Sequence, residues 1–391
     1  MTPKHFQKEL NNETLALFFT FGVSLKNWYE TGLIIRDATL YNELSKHFRH
    51  IYFFTYGGRE DLNFKKYLSD NITVVPMPFL ENRPSGFLGR ILRLAYSVLL
   101  PAIHYKKLRQ VDIIKSHQMR GGLVAVWSKI VFRKKYLARC GFVPSRANYP
   151  KRNIIRRAVV FLNDLLVCRF ADIVCVPNRG ELEYIEKKFK VSKNKISINP
   201  NWIDTDRFYP FKDKSKINNN NKICFLGRFE PRKQPLFLIE ALKDLGNIEL
   251  LFIGKGSLEP EIRRRIKESN IKGRVIPWVK NEELPEYLNS VDIYTILSFW
   301  EGGSPKTLLE AMACGLAVIG INADGVNDVI KQGENGLLCD NNLKSLRESV
   351  FNLIKDKKLR EKLGENARKT ILEEFSLKRG VVKELNLYKN L

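Results

Sequence analysis

The sequence has few of the residues that cross-link or anchor a protein. Its six cysteines in 391 residues are scattered, and they form neither a C-x-x-C pair nor a cluster with histidine. Buried thiols in a reducing compartment are therefore a better interpretation than disulfides or zinc. No apolar run reaches 18 uncharged residues, and residues 1–12 lack the apolar core of a signal peptide. We therefore expect neither a membrane-spanning helix nor a secretory leader.

Acidic residues are scarce in the first half of the chain. The net charge is +24, and residues 1–200 hold 34 basic against 15 acidic residues, whereas the remainder holds 32 against 27. Residues 81–160 alone hold 18 basic and 2 acidic residues. The first half is therefore expected to face an anionic partner, and the second half need not.

Several catalytic motifs are also missing. The sequence contains no G-x-x-x-x-G-K-[ST] loop, no G-x-S-x-G elbow and no H-E-x-x-H pair. P-loop kinase, lipase and metalloprotease functions therefore have no support.

Short apolar runs alternate with helical patterns along the chain, and this alternation occurs twice. Such alternation predicts two doubly wound α/β domains with parallel sheets. We expect an N-terminal domain over residues 1–204, joined by a helix over 376–391, and a C-terminal domain over 205–375. The polar, asparagine-rich stretch at 211–221 predicts an exposed linker between them.

The most informative stretch is Ser298–Gly320, which predicts a loop, a helix and a buried strand. Ser304 suits an N-cap and Pro305 a first helical residue, while Gly315 suits the helix end. The N–H groups at the helix start favour an anion such as a phosphate. These groups belong to Lys306, Thr307 and Leu308.

Two carboxylates flank that helix start. Glu301 lies in the loop ahead of it and Glu310 lies in the second turn of the helix. A phosphate at the helix start, with a sugar hydroxyl on each carboxylate, is the ligand that such a site suits.

Cations follow the first strand of the second domain. Arg228 ends the predicted strand and Lys233 lies five residues on, so the two side chains could grip a diphosphate. A solvated basic turn is the alternative. Glycines that allow close approach of backbone and ligand stand at Gly227 and in the G-x-G of Gly254 and Gly256.

These motifs resemble those of retaining nucleotide-sugar glycosyltransferases, in particular glycosyltransferase family 4. The matching features are "EG", "P", "LLEAMACG" with its following strand, "GR" with a later lysine, "NWID" with Phe208 and Pro210, and "ENGLL". Three departures occur. Eight residues instead of seven separate Glu301 from Glu310, Gln234 replaces a usual glycine, and "NWID" replaces Asn-Gly-Val-Asp.

The resemblance implies the GT-B architecture, with two Rossmann-like domains facing each other across a cleft. It implies a sugar donor bound to the second domain and no resident cofactor or metal, since Arg228 and Lys233 would stabilise the leaving diphosphate. Glu310 would hold the ribose. Glu301 and His117 would position the donor sugar. The implied donor-binding residues are Gly22, Gly227, Arg228, Lys233, Gly254, Gly256, Trp278, Val279, Glu301, Gly302, Gly303, Lys306, Thr307, Leu308 and Glu310.

Three N-terminal features carry alternatives. His117 follows a predicted strand at the usual ligand edge, but a lone histidine is more often a core or surface residue. The loop between Gly22 and Gly32 is either a loose glycine-rich ligand loop or a plain connection. Arg139 and Asn178 are weaker candidates for contacts with the acceptor.

Residues 87–109 predict a helix with a broad apolar face between basic ends. An interfacial membrane helix is one interpretation, and a helix packed on the sheet with solvated arginines is the other. The basic stretches at 133–135 and 151–157 favour an anionic membrane surface. We therefore expect a cytoplasmic protein that is peripheral on the inner face of the membrane.

The predicted function is transfer of a sugar, with retained configuration, from a nucleotide-diphosphate sugar to a glycan or lipid-linked acceptor in bacterial surface polysaccharide synthesis. A nucleotide-sugar epimerase of the same architecture is the first alternative. A basic nucleic-acid-binding protein is the second, although aromatic residues are not interleaved with the basic ones as base stacking requires.

Overall fold

The computed structural model describes residues 10–78, 80–146, 154–211, 221–269 and 271–391. The chain divides into unit 1, formed by Met1–Asn199 and Val381–Leu391, and unit 2, formed by Pro200–Gly380. The sequence-based boundaries after residues 204 and 375 each lie five residues from these divisions. Most of the predicted linker at 211–221 lies outside the described residues.

The described part of unit 1 contains seven strands in one parallel sheet: β1 Thr14–Phe18, β2 His50–Phe54, β3 Ile72–Val75, β4 Ile113–Ser116, β5 Lys135–Arg139, β6 Ile173–Val176 and β7 Ile196–Ile198. Their spatial order is β3-β2-β1-β4-β5-β6-β7. Every residue of β1 is buried. A parallel strand that is covered on both faces requires such a continuous apolar run.

The strands of unit 1 alternate with helices: α1 Leu25–Glu30, α2 Ile34–Ser45, α3 Gly86–Ile103, α4 Tyr105–Arg109, α5 Gly122–Phe132, α6 Ile154–Phe170 and α7 Arg179–Phe189. The sequence analysis treated residues 22–32 as a loop and missed α1. Ser24 caps this helix by accepting a hydrogen bond from the Asn27 N–H, and Trp28 buries its inner face. A six-residue helix is too short to show apolar periodicity, so only the cap signals it.

Unit 2 contains six parallel strands among its described residues: β8 Lys222–Leu226, β9 Glu249–Ile253, β10 Lys272–Ile276, β11 Ile293–Ile296, β12 Ala317–Ile321 and β13 Leu337–Cys339. Their order is β10-β9-β8-β11-β12-β13. The helices are α8 Pro235–Leu242, α9 Glu259–Glu268, α10 Leu284–Asn289, α11 Lys306–Ala313, α12 Leu343–Lys355, α13 Lys357–Thr370 and α14 Leu377–Lys389. The residues of α14 from Val381 onward belong to unit 1.

Each sheet reverses its strand order at one place. In unit 1 the reversal lies where β1 pairs with β4, and in unit 2 it lies where β8 pairs with β11. Loops at the carboxyl ends of strands diverge at such a reversal and leave a crevice, which is where ligands bind in open α/β sheets. Each unit therefore offers one ligand edge.

All six cysteines are buried thiols outside any disulfide, which agrees with the expectation of core thiols. Burial raises the pKa of the Cys224 thiol to about 12, so this sulfur stays protonated and inert at neutral pH.

Candidate functional site

The loops that follow β8 and β11 meet at the ligand edge of unit 2 through an ion cluster. The Lys233 ammonium donates a hydrogen bond to Glu301, and the Arg232 guanidinium lies 3.9 Å from the second oxygen of the same carboxylate. Arg232 also donates to the Trp300 carbonyl at 2.8 Å. Two cations therefore converge on one carboxylate at the strand reversal.

Burial and charge compete at Lys233. Burial lowers the pKa of its ammonium, while the Glu301 carboxylate raises it, and the net direction is downward. The side chains of Lys233 and Glu301 are 18% and 11% exposed, so solvent and ligands can still reach them. A cation held in partial burial is stabilised further when an anionic ligand adds negative charge.

Arg228 does not join this cluster. Its side chain is 65% exposed and pairs with Glu230 at 3.1 Å. The sequence analysis paired Arg228 with Lys233 and overlooked Arg232. Arg232 adjoins Lys233 in the sequence, but nothing in that pattern shows that it turns toward the loop after β11.

Gln234 shows why the family often has a glycine at this position. Its φ of 54° is left-handed, a conformation that glycine adopts without strain. Here the side-chain amide donates to the Leu297 carbonyl at 2.8 Å, which holds the left-handed residue in place and ties the loop after β8 to β11.

The glycines after β8 and β9 bring two backbones together. A Cβ on Gly254 would lie 1.9 Å from the Gly227 carbonyl oxygen, and one on Gly256 would lie 2.4 Å from the Phe229 carbonyl oxygen. The Leu258 N–H donates to that same Phe229 carbonyl at 3.0 Å. Gly254 and Gly256 therefore allow the loops after β8 and β9 to pack closely against each other. Contact of these glycines and Gly227 with a ligand stays a prediction.

The start of α11 differs from the prediction in two details. Pro305 is the N-cap and Lys306 the first helical residue, whereas the Ser304 hydroxyl is buried and caps nothing. The Leu308 N–H donates to the Pro305 carbonyl at 3.1 Å, so it is not available to an anion. A proline N-cap has no side-chain oxygen, and the first turn tightens to satisfy its own backbone.

The neighbouring residues at this helix start have other contacts. The Lys306 ammonium lies 4.3 Å above the Trp202 ring, and the Thr307 hydroxyl accepts from Tyr294 at 2.8 Å. Asn201 donates to the Ser304 carbonyl at 2.8 Å. The segment around Asn201 and Trp202 therefore positions the helix start, a role that the sequence analysis did not assign to it.

Glu310 is buried and turns toward the loop after β10. The Asn281 amide donates to its carboxylate at 3.4 Å, and Arg207 donates to the Asn281 carbonyl oxygen at 3.1 Å. The predicted base-contact residue Trp278 is 47% exposed at this edge, while Val279 packs partly against the core. Asn281 was missed because an isolated asparagine in a polar loop carries no motif.

The Glu301 loop rests on Gly325, a second residue that the sequence analysis missed. Gly325 has a φ of 86°, and a Cβ there would lie 2.5 Å from the Glu301 carbonyl oxygen and 2.6 Å from that of Gly303. The Glu301 N–H donates to the Asp324 carbonyl at 3.0 Å. This support fixes the loop that contains Gly302 and the extra residue of the Glu-to-Glu spacing.

The ligand edge of unit 1 contains His117 directly after β4. Its Nδ1 lies 3.5 Å from the Thr20 hydroxyl, its Nε2 lies 4.0 Å from Asp37, and Trp28 packs on the ring at 5.0 Å. Burial lowers the pKa of His117 to about 4, although Asp37 opposes this shift. The imidazole is therefore neutral at pH 7 and can donate or accept a hydrogen bond.

Gly22 also lies at this edge, in the loop after β1. Its φ of 76° is left-handed, and a Cβ there would lie 3.3 Å from the Arg93 Nε. The loop needs glycine at this position both for its backbone conformation and for its contact with Arg93, and a ligand-binding role of the loop stays a prediction.

Arg139 and Asn178 have structural roles instead of exposed acceptor contacts. Arg139 lies 3.9 Å from Glu384 of α14, and Lys115 donates a hydrogen bond to the same buried carboxylate. Asn178 is buried and caps α7 by accepting from the Glu181 N–H at 2.9 Å. Both residues do lie at the ends of strands, as the sequence predicted, but their side chains turn into the protein.

Two sequence expectations concern metals and membranes. Among the described residues no group of three or more His, Cys, Asp or Glu side chains could hold a metal ion. By length and composition, α3 is one helix in the described ranges that could cross a membrane, and only 22% of it is buried. The sequence criterion of 18 uncharged residues excluded α3 because the helix contains Arg90 and Arg93. A single such helix is weak evidence of a span.

Comparisons with known proteins agree with this geometry. Residues 209–370 match the family described as Glycosyl transferases group 1. UDP-Gal:alpha-D-GlcNAc-diphosphoundecaprenol alpha-1,3-galactosyltransferase of Escherichia coli is 25% identical over 310 residues, which cover 73% of this chain and 77% of that protein.

A second relative comes from Campylobacter jejuni subsp. jejuni serotype O:2. It is N-acetylgalactosamine-N,N'-diacetylbacillosaminyl-diphospho-undecaprenol 4-alpha-N-acetylgalactosaminyltransferase, 26% identical over 280 residues, or 70% of this chain and 76% of that protein. Among solved structures, HepE of Anabaena in complex with UDP superposes with a TM-score of 0.75 and 14% identity, over 97% of this chain and 100% of that one. This likeness supports the α/β GT-B fold.

Proposed function

We propose that the chain is a glycosyltransferase of group 1 and that it transfers a sugar from a nucleotide-diphosphate sugar to a lipid-linked or glycan acceptor. The observation that carries this proposal is the cluster of Lys233, Arg232 and Glu301 at the strand reversal of unit 2. Two cations beside the start of a helix are suited to a leaving diphosphate.

The donor roles follow from the contacts in unit 2. Lys233 and Arg232 neutralise the charge that develops on the diphosphate, and Glu301 holds both cations in place until the phosphate shares them. Arg228 would have to leave Glu230 to reach the same phosphate, so its contribution is smaller. Glu310 and Asn281 offer a carboxylate and an amide to the ribose hydroxyls, beside Trp278 and Val279 for the base.

The stereochemistry of transfer and the role of His117 complete the proposed mechanism. We propose membership of glycosyltransferase family 4, retention of the anomeric configuration, and contact of neutral His117 with the donor sugar. Charge stabilisation by lysine and arginine would let the reaction proceed without a resident metal or other cofactor. Activity that survives EDTA would support this last point, and activity restored only by a divalent cation would contradict it.

The acceptor proposal is supported by the names of relatives. The names of the Escherichia coli and Campylobacter jejuni relatives each contain a sugar linked to diphosphoundecaprenol. We propose an acceptor of this class and a cytoplasmic protein that works at the inner face of the membrane.

The surface of unit 1 fits such a location. Helices α3, α5 and α6 pack side by side, and their outer faces are apolar. We call this face the apolar helix layer. Its exposed apolar side chains are Phe87, Leu88, Ile91, Leu92, Leu94, Val98, Leu99, Ile103, Leu123, Trp127, Ile130, Val131, Ile154, Ile155, Val159 and Leu162.

Basic residues accompany the apolar helix layer. Exposed examples are Arg90 in α3, Lys106 and Lys107 in α4, and Arg156 and Arg157 in α6. Each basic residue near an anionic lipid surface contributes about 1 kcal/mol to binding. An apolar face with basic neighbours is the pattern of a helix layer that lies in the membrane interface.

Vesicle flotation tests the membrane part. The protein should float with vesicles that contain phosphatidylglycerol, and Leu94→Glu with Val98→Glu should abolish flotation. Leu62→Glu, at an exposed leucine outside the apolar helix layer, is the matched control. Salt-sensitive binding to oligonucleotides, with no binding to vesicles, would instead favour the nucleic-acid alternative.

The enzymatic part is tested in two steps. Thermal shift against UDP, GDP and ADP sugars should identify the donor, because a ligand at 100 times its dissociation constant stabilises by about 2.7 kcal/mol. Proton NMR of the fresh product should then show the sugar on the acceptor with the anomeric configuration of the donor. Inversion would contradict retention. An epimerised free sugar formed without acceptor would favour the epimerase.

A further inference from the structure

A buried arginine lies beside the ligand edge of unit 1 with part of its hydrogen-bonding capacity unused. Arg93 of α3 is only 9% exposed, and its Nε has no hydrogen-bond partner among the residues that the structure describes. One Nη donates to the Pro84 carbonyl. Buried charged groups are almost always paired, since an unpaired one costs several kcal/mol. An arginine kept in this state therefore needs an explanation.

The charges around Arg93 make the explanation more specific. Burial lowers the pKa of its guanidinium, and the positive charges of Arg83 and Arg90 lower it further. The Arg83 guanidinium donates to Asn27, and the Glu60 carboxylate accepts from the Arg83 backbone N–H at 2.5 Å. The charges that lower the Arg93 pKa are therefore those of two neighbouring arginines.

The Nε faces the loop after β1. It lies 3.3 Å from the position of a Cβ on Gly22, so only a glycine lets the loop backbone pack this closely on the guanidinium. Thr20 of the same loop lies 3.5 Å from His117 after β4. The arginine therefore flanks the ligand edge at the strand reversal of unit 1.

We propose that Arg93, Arg83 and the Gly22 loop form a binding site for a phosphate group of the acceptor, and that this acceptor is a lipid diphosphate. Guanidinium groups bind phosphate oxygens through charge-assisted, bidentate hydrogen bonds. The same helix that buries Arg93 presents its opposite side in the apolar helix layer. A lipid diphosphate has both matching parts, an anionic head and a hydrocarbon chain. The inference rests on the proposed glycosyltransferase function.

Isothermal titration with three probes distinguishes the sources of phosphate. Farnesyl diphosphate carries both parts of the ligand, inorganic pyrophosphate only the anion, and farnesol only the chain. We expect farnesyl diphosphate to bind most tightly, and Arg93→Met to weaken its binding at least about tenfold. Arg59→Met, which removes an exposed arginine paired with Glu81, should leave the affinity unchanged. Unchanged affinity in Arg93→Met would overturn the site, and equal affinity for inorganic pyrophosphate would overturn the lipid assignment.

Thermal unfolding of the ligand-free protein separates a binding role from a structural one. Removing an uncompensated buried charge should leave the melting temperature of Arg93→Met equal or higher. A lower melting temperature with retained farnesyl diphosphate binding would show that the arginine is structural. Arg83→Gln is the second variant, because the Arg83 side chain is less buried than that of Arg93. Unchanged affinity of Arg83→Gln for farnesyl diphosphate would also overturn the site.

Donor hydrolysis distinguishes this inference from the proposed function. Wild-type protein should release nucleoside diphosphate from the donor sugar when water is the acceptor, and Arg93→Met should reduce transfer to lipid diphosphate far more than it reduces this hydrolysis. If wild-type protein binds no donor at all, the proposed function fails, whatever the result with farnesyl diphosphate.

Discussion

Each unit contains a glutamate that faces two cations, and the two clusters have different surroundings. In unit 1, Lys115 and Glu384 have side-chain exposures of 0% and 2%, with Arg139 3.9 Å from the carboxylate. In unit 2, Lys233 and Glu301 are 18% and 11% exposed at the strand reversal. The lysine–glutamate ion pair is therefore enclosed in unit 1 and accessible in unit 2.

This difference assigns the roles. An enclosed cluster can only join elements of the fold, and Glu384 joins α14 to β4 and β5. In an accessible cluster of the same charges, the cations can release the carboxylate and bind an anionic ligand instead. The comparison teaches that a pair of cations on a carboxylate indicates function only when the site opens at a ligand edge.

The largest expected effect is a loss of stability when the cluster of Lys115, Arg139 and Glu384 is broken. Glu384→Gln removes the carboxylate from the fully buried Lys115 and from Arg139, whose side chain is 12% exposed, and should lower the free energy of unfolding by about 3–5 kcal/mol. Urea denaturation measures this change. Glu183→Gln, which breaks an exposed pair with Arg179 in the same unit, should have almost no effect. A stable Glu384→Gln variant would refute the structural role.

The accessible cluster should respond in activity instead of stability. Lys233→Ala removes a cation from the leaving diphosphate, so the transition state loses about 3 kcal/mol and the rate falls at least about a hundredfold. Initial rates of nucleoside diphosphate release measure the loss. Lys243→Ala is the control, because that lysine is exposed and pairs with Glu240. Wild-type turnover in Lys233→Ala would remove the mechanism.

His117 provides a pH test at the ligand edge of unit 1. Its folded pKa is about 4 and its unfolded pKa about 6.5, so the unfolded chain binds more protons between these values. Stability should therefore be complete above pH 6.5 and fall by about 3 kcal/mol as the pH drops to 4. Comparing urea midpoints of wild type and His117→Gln isolates this contribution. Identical pH dependence in both would mean that His117 is not buried as described.

The smallest effect is expected at Arg228. Because this side chain is mostly exposed and paired with Glu230, Arg228→Gln should weaken donor binding less than tenfold, while Arg232→Gln should reduce turnover more. Steady-state kinetics on both variants show which substitution reduces activity more. A larger effect for Arg228 would mean that the ligand draws it into the cluster and would restore the original pairing with Lys233.

Local patterns predicted the strands and the loop–helix–strand around α11, since buried parallel strands and helix ends depend on adjacent residues. The family resemblance supplied the overall fold and the positions of Lys233, Glu301 and Glu310. Side-chain direction was not predictable in the same way. Arg139 and Arg232 both follow strands, and only tertiary contacts show that Arg139 turns inward while Arg232 turns toward Glu301.

Long-range contacts explain the other omissions. The contact between Asn281 and Glu310 joins a loop to helix α11 over 29 positions of sequence, and Gly325, which follows β12, supports the loop that contains Glu301. Arg93 looked like a solvated arginine at the end of an amphipathic helix, because the sequence does not show that Pro84 and Gly22 cover it. Single residues that act through such contacts leave no periodicity or spacing to find.

Hydrogen–deuterium exchange with the donor identified by thermal shift tests the central claim most directly. Binding should protect the backbone amides of residues 227–235 and 298–310, which contain the cluster of Lys233, Arg232 and Glu301 and the start of α11. In Lys233→Ala this protection should be lost at the same donor concentration. Protection elsewhere in the chain, with both segments unchanged, would contradict the assignment of the diphosphate site.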